Sequence, residues 1–331
     1  MKQLINLKSF IVLFLASISL VSCDLSNDEN NTINTSVVDV IKANPNLSSL
    51  VAALEENPDS NLLNLLSNFG SYTVLAPTNA AFNEFLNGAA LSDIPAADLE
   101  ALLLNHIVLT QANAATFVSA NDNGVFYTKT AGSILIGDQR SFINIFFDVV
   151  DDVLSFNGEA NVIEANLVAD NGYVHIVDKV IKIPSIVDFV VADSRFSSLL
   201  EALTAPDQPD FPTILNTPNG TAPAPFTVFA PINEAFTALE TVPTGEELTK
   251  VLQHHVIAEE NIFINQISTG LESPATLEGD ILKFRIQNGF GFIEDGSGNT
   301  DAEFIAGNLD IQAKNGIIHA INKVLIPDMT N

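Results

Sequence analysis

Five histidines and a few acidic clusters are the residues whose types could do chemistry in this 331-residue chain. The histidines are His106, His175, His254, His255 and His319. A metal or catalytic site draws such residues together, as when two histidines share one helix face in H-E-x-x-H. Here they are dispersed, and four form two matched pairs, His106 with His255 and His175 with His319, within a repeat of the sequence. That regularity predicts structural rings, each hydrogen-bonded inside its own unit. Asp295-Gly-Ser-Gly-Asn-Thr-Asp301 has the composition of a calcium loop without its spacing. Thr300 and Ala306 stand where an EF-hand needs glycine and glutamate. A hairpin turn is the expectation there, and a solvated turn at Asp148, Asp151 and Asp152. The chain has no serine elbow, P-loop or G-x-G-x-x-G, and Gly289-Phe-Gly291 lacks the third glycine. Nothing in the motifs supports an enzyme or a bound cofactor, and the acidic surface would attract divalent cations only weakly.

The elements that must position these residues come twice. Tyr72-Thr-Val-Leu-Ala-Pro-Thr-Asn-Ala-Ala-Phe82 recurs as Phe226-Thr-Val-Phe-Ala-Pro-Ile-Asn-Glu-Ala-Phe236, identical at seven of eleven positions. Such repeats govern how the rest of a sequence is read. Thr73–Ala76 and Thr227–Ala230 are β-prone apolar runs too short for a helix. Pro77 and Pro231 cannot donate to a ladder and end their strands. Asn79 and Asn233 stand where a helix could be capped, and Phe82 and Phe236 would anchor that helix on the core. Asn105-His106-Ile-Val matches His254-His255-Val-Ile, and Asn171-Gly-Tyr-Val-His175 matches Asn315-Gly-Ile-Ile-His319. Gly172 and Gly316 read as tight-turn residues with positive φ.

This ordered motif set resembles the fasciclin domain family: T-V-[LF]-A-P-x-N-x-A-F, then the histidine motif, then N-G-x-[VI]-H running to Lys179 and Lys323 and to a closing proline, Pro184 or Pro327. The resemblance covers about residues 36 to 327. It implies an α+β fold, two tandem domains each a β-wedge or sandwich with packed helices. It implies adhesion or interaction with matrix and surface components, with glycan binding or an accessory scaffold role in an envelope assembly as the alternative. In some animal members a tyrosine-histidine pair near the first histidine position serves receptor binding. Asn105 and His254 replace that tyrosine here, so that activity does not carry over.

In chain order, 1–22 reads as a leader, with Lys2 and Lys8 before an apolar run Phe10–Leu20. That run is well short of the ~20 residues that span a bilayer. Leu20-Val-Ser-Cys23 resembles a lipobox, and Cys23 is the chain's sole cysteine. The expectation is an acylated Cys23 holding an outer-membrane lipoprotein in the cell envelope, exposed at the surface or facing the periplasm. Residues 23–35 are polar and acidic, a flexible tether. Domain 1 covers 36–184 and domain 2 covers 185–329, joined at Ile183-Pro184-Ser185 with no spacer. Ser36 with Asp39, and Ser185 with Asp188, form capping-box patterns. From Phe117 onward the pattern turns to β, with Asn157-Gly158 as a hairpin signal. The proline-rich stretch 206–225 reads as a loop. Candidate binding residues are Asp207, Asp210 and Asn219 in that loop and Asp295 and Asp301 in the acidic turn. Without the leader the chain carries 40 acidic against 11 basic residues. A field of that sign repels nucleic acid and anionic lipid, while the resemblance implies surface or matrix proteins or glycans as partners.

Overall fold

The computed structural model describes residues 35–56 and 61–330. The leader, Cys23 and the tether up to residue 34 lie outside the described residues. The described residues form one compact unit. Among the described residues, no helix is long and apolar enough to cross a membrane.

Domain 1 opens with helix α1 (Val37–Ala43). Ser36 Oγ accepts from Asp39 N and an Asp39 carboxylate oxygen accepts from Ser36 N at 2.8 Å, the reciprocal capping box its sequence predicts. Asn44 and Pro45 break the helix into a short 3-10 turn. Helices α2 (Ser48–Glu56) and α3 (Leu62–Ser67) follow. Strand β1 (Tyr72–Pro77) then leads into α4 (Asn79–Leu86), α5 (Ala96–Asn105), β2 (Ile107–Val108) and α6 (Ala114–Asp122). Strands β3 (Tyr127–Ile136), β4 (Gln139–Val150), β5 (Val153–Phe156), β6 (Ala160–Ala169) and β7 (Gly172–Val177) complete the domain. In chain order β1 to β7 close into a barrel, with β1 parallel to β7 and Val74 opposite Val174.

Successive residues of a strand face opposite ways. Both faces of β1 are covered, so it reads as unbroken apolar sequence rather than as an alternation. Val74 and Ala76 pack outward on a helical layer with Val37, Ile41, Leu50, Phe82 and Leu103. Leu75 points into the barrel with Val108, Ile145, Phe147 and Phe156. Phe117 also fills the barrel, edge-on to Phe147 at 5.0 Å and to Phe156 at 5.3 Å. It does so from α6, not from a strand as its sequence suggests. Asn113 caps that helix by accepting from Thr116 N, and one deeply buried aromatic fixes its position.

Domain 2 repeats the plan. Helices α7 (Ile186–Ala192), α8 (Ser197–Leu203) and α9 (Phe211–Leu215) precede β8 (Phe226–Pro231). Then come α10 (Asn233–Thr237), α11 (Gly245–His254), β9 (Val256–Ala258), β10 (Glu272–Ala275), β11 (Ile281–Gln287), β12 (Phe290–Glu294), β13 (Ala302–Glu303), β14 (Ile311–Ala313) and β15 (Gly316–Ile321). The strands form two sheets, β14-β15-β8-β9 and β10-β11-β12-β13. Single bridges from Ile257 to Thr276 and from Phe304 to Ile321 connect them. The proline-rich stretch is not all loop. Asp210 caps α9, and Pro212 sits in its first turn, where a missing N–H costs nothing.

The two domains share apolar packing. Tyr127 and Phe146 of domain 1 are buried in the cluster formed by Phe189, Val190, Phe226 and the other helix-facing residues of domain 2.

Candidate functional site

The repeated motifs resolve into two internal fastenings per domain. His106 follows α5, and its Nδ1–H donates to Leu102 O at 2.8 Å while Nε2 accepts from Ile181 N at 2.9 Å. His255 does the same with Val251 O at 2.7 Å and Leu325 N at 2.9 Å. The backbone partners fix the tautomer, because one nitrogen meets a carbonyl and the other an N–H. A neutral ring satisfies both, and burial pushes the pKa down to about 4 for His106 and about 3 for His255. His175 and His319 form the second fastening. Their Nε2–H groups donate to Ala112 O at 3.0 Å and to Ile262 O at 2.7 Å. Each of these four rings has its hydrogen-bonding positions taken up inside its own domain.

Asn171 and Asn315 do more than turn the chain. The Asn171 amide oxygen accepts from Val37 N, and its nitrogen donates to Leu66 O and Asn68 O. Asn315 takes Ile186 N and gives to Leu215 O and Thr217 O. Each buried amide ties the domain's first helix to its third and to the final strand. The glycine that follows is needed for closeness. A Cβ on Gly316 would lie 2.4 Å from Phe226 O, and one on Gly172 1.9 Å from Tyr72 O. Gly316 does not adopt the positive φ its sequence suggests; a parallel strand passes too near for any side chain.

Asn79 and Asn233 are not the caps their position suggests. Thr78 caps α4 by accepting from Ala81 N, and Ile232 occupies the cap position of α10. The Asn79 side chain reaches back instead, accepting from Ser49 N at 2.8 Å and donating to Pro45 O at 3.0 Å. Asn233 does the same with Ser198 N and Ser194 O. Pro77 and Pro231 close their strands, and Phe82 and Phe236 are buried beneath the following helices.

The five candidate loop residues do not converge on one site. Asp207 accepts from Gly245 N, Asp210 caps α9, and Asn219 donates to Leu135 O. Asp301 meets Lys323, as Glu84 meets Lys179. Both lysines lie just past the final strands. Asp295 is buried, not poised for a ligand. One oxygen accepts from Ser297 N, Ser297 Oγ and Asn299 N, and the other from Ile326 N at 2.9 Å. The turn spends this carboxylate on its own backbone.

His254, which stands where domain 1 has Asn105, differs from the other four. Gly296 N donates to its Nε2 at 3.2 Å, so the neutral ring carries its proton on Nδ1. That buried nitrogen has no hydrogen-bond partner and lies 3.5 Å from Glu278 Oε2. Burial holds its pKa below the ordinary value, against the pull of Glu278, Asp280 and Asp295. His254, Glu278 and Asp280 place three ligand-type atoms within 4.8 Å of one another. A cation on Nδ1 would drive the ring proton to Nε2, directly against the Gly296 N–H. The donor set therefore does not suit a metal, and the trio is a buried ring facing carboxylates.

The profile of the Fasciclin domain matches residues 45–184 and 194–327. The Synechocystis protein sll1483 is 31% identical over 156 residues, covering 44% of this chain and 74% of that one. Human periostin is 28% identical over 262 residues, covering 78% of this chain but 29% of periostin, so the chain spans less than a third of that relative. Among solved structures, a FAS1 domain pair from the insect cell adhesion molecule Fasciclin I superposes with a TM-score of 0.51. It is 20% identical and covers 86% of this chain and 98% of that one, a likeness of fold. With two matched segments spanning most of its length, each of helices packed on strands, the chain belongs to the fasciclin domain family.

Proposed function

We propose that the protein is a non-enzymatic interaction module of the cell envelope, mediating adhesion to surface or matrix components and held to the outer membrane by a lipid on Cys23. The observation that carries this reading is the fixed pairing of two fasciclin domains. Tyr127 and Phe146 of one are built into the core of the other, so the two domains are packed together rather than joined by a tether alone. A preorganised surface loses less entropy on binding than two tethered domains would. The insect protein that shares the paired fold is named a cell adhesion molecule. The motif preceding Cys23 supports the anchor, and two acyl signals give the stable attachment that one chain does not.

Beads coated with mature chain test the reading. They should adhere to cells of the parent organism, or to one another, more than beads coated with heat-denatured chain do. Equal retention of both would refute the adhesion reading. The anchor is read separately: labelled palmitate should enter the wild-type protein and not Cys23→Ala, and the variant should leave the membrane fraction.

A further inference from the structure

The cations of this chain are scarce, 13 against 40 acids. Two of them, Lys129 and Arg140, line one cleft between the domains. One wall is the β3–β4 hairpin of domain 1, and the other is the segment 261–266 of domain 2. The cleft has a volume of about 600 Å³, inside the ~300–1,000 Å³ of small-molecule sites. Among the described residues neither cation has a carboxylate partner, as Lys182, Lys250, Arg285 and Lys314 also have none, while Lys42, Lys179, Arg195, Lys283 and Lys323 each meet one; what sets these two apart is that they line the same cleft. Two unpaired positive groups facing one space suit an anion.

The rest of the lining suits hydroxyl groups. Asn261 is buried, and its Nδ2 donates to Gln312 Oε1 at 3.3 Å. Its Oδ1 has no partner. Turning the amide over would not cure this. Gln312 spends its own Nε2 on Ala313 O and Gly316 O, so only Gln312 Oε1 faces Asn261. A buried acceptor left unmet costs free energy that a ligand donor recovers. Gln139, Asn265 and Gln266 add amides, and half-buried Phe142 and Phe263 add apolar faces of the kind that pack on sugar rings.

We propose that this cleft binds an acidic oligosaccharide, its carboxylates on Lys129 and Arg140, its hydroxyls on the amides, and its ring faces on Phe142 and Phe263. This deepens the adhesion reading by naming a ligand class and rests on it. The chain's net negative charge repels such a ligand at long range. At physiological salt, screening over ~8 Å removes most of that repulsion and leaves contact-range pairing intact.

Titration calorimetry of the mature chain at 0.15 M salt, with trigalacturonate, a neutral trisaccharide and inorganic phosphate as probes, tests the proposal. Trigalacturonate should bind at least ten-fold more tightly than either other probe. Lys129→Ala with Arg140→Ala should cut that affinity ten-fold or more. Both side chains are exposed, so the pair should leave the melting temperature unchanged, and the control Lys42→Ala should bind as wild type. No heat with millimolar trigalacturonate, or affinity unaltered in the double variant, overturns the proposal. Phosphate binding as tightly as the sugar overturns the saccharide class. Double-variant beads that adhere undiminished would leave the adhesion reading standing while removing this cleft from it.

Discussion

His106 and His255 make stability depend on pH in a calculable direction. Each is neutral in the folded chain, with pKa about 4 and about 3 against ~6.5 unfolded. Between those values the unfolded state binds a proton that the folded state refuses. Stability is therefore complete above pH ~6.5 and falls as pH drops, down to about 4 for His106 and about 3 for His255. Each ring contributes roughly 1.4 kcal/mol per pH unit inside its window. Urea unfolding between about pH 6 and 5 should show this slope, and His106→Ala should reduce it there by about one proton. The same variant should lose about 2–4 kcal/mol at pH 7 by orphaning Ile181 N; an unchanged slope would sink the account. The repeat pairing marks these rings as structural but does not name their partners. Leu102 O is a backbone atom, and Ile181 N lies 75 residues away. Asn79 illustrates the same blindness. Local rules rank asparagine as a cap, while its actual partner Ser49 is 30 residues distant.

The parallel pairing of each domain's TVxAP strand with its final strand is what the repeat preserves at the scale of elements. Gly316 on β15 sits against Phe226 of β8. A backbone oxygen 2.4 Å from where an alanine methyl would stand cannot yield as a side chain would. Gly316→Ala should force the strands apart and cost more than the ~4 kcal/mol that marks an exceptional single change. Domain 2 would then be lost from the folded population and domain 1 weakened through the shared joint, seen as a drop in helical and sheet circular dichroism and in melting temperature. A soluble variant of wild-type melting temperature would show that the strands give way. The strands, capping boxes and Asn157-Gly158 turn are legible in the sequence because their signals are local. That turn has φ of 49° and 67°, as its type requires. Helices α6 and α9 are not legible. Each has few turns, so no apolar period accumulates, and long-range burial of Phe117 or Phe211 decides the matter.

The joint decides how the whole molecule behaves. Ile183-Pro184-Ser185 leaves no slack, and the sequence shows that much. It does not show what fills the joint, because Tyr127 and Phe146 look like any alternating strand residues. Tyr127 packs edge-on to Phe189 at 5.4 Å, and its hydroxyl donates to buried Asp193 at 2.8 Å. Arg195 pairs with Asp193 and lies 3.8 Å over the Phe126 ring. A second contact joins the domains where Gln312 accepts from Ser141 Oγ and donates its N–H to Asn144 Oδ1. Polar pairing alone would be worth little, but here it surrounds aromatic surface sealed from water. Truncating a buried aromatic costs about 3–5 kcal/mol, comparable with the stability of a whole domain. Heat should therefore unfold the wild-type pair in one calorimetric transition. Tyr127→Ala should split it into two, the first belonging to domain 2, whose core loses the ring. Tyr127→Phe, which keeps the ring and leaves Asp193 Oδ2 with Arg195 as its remaining partner, should lower the transition temperature slightly without splitting it. Two resolved transitions in the wild type would mean that the domains are merely neighbours, and that the adhesive surface built on their coupling does not exist.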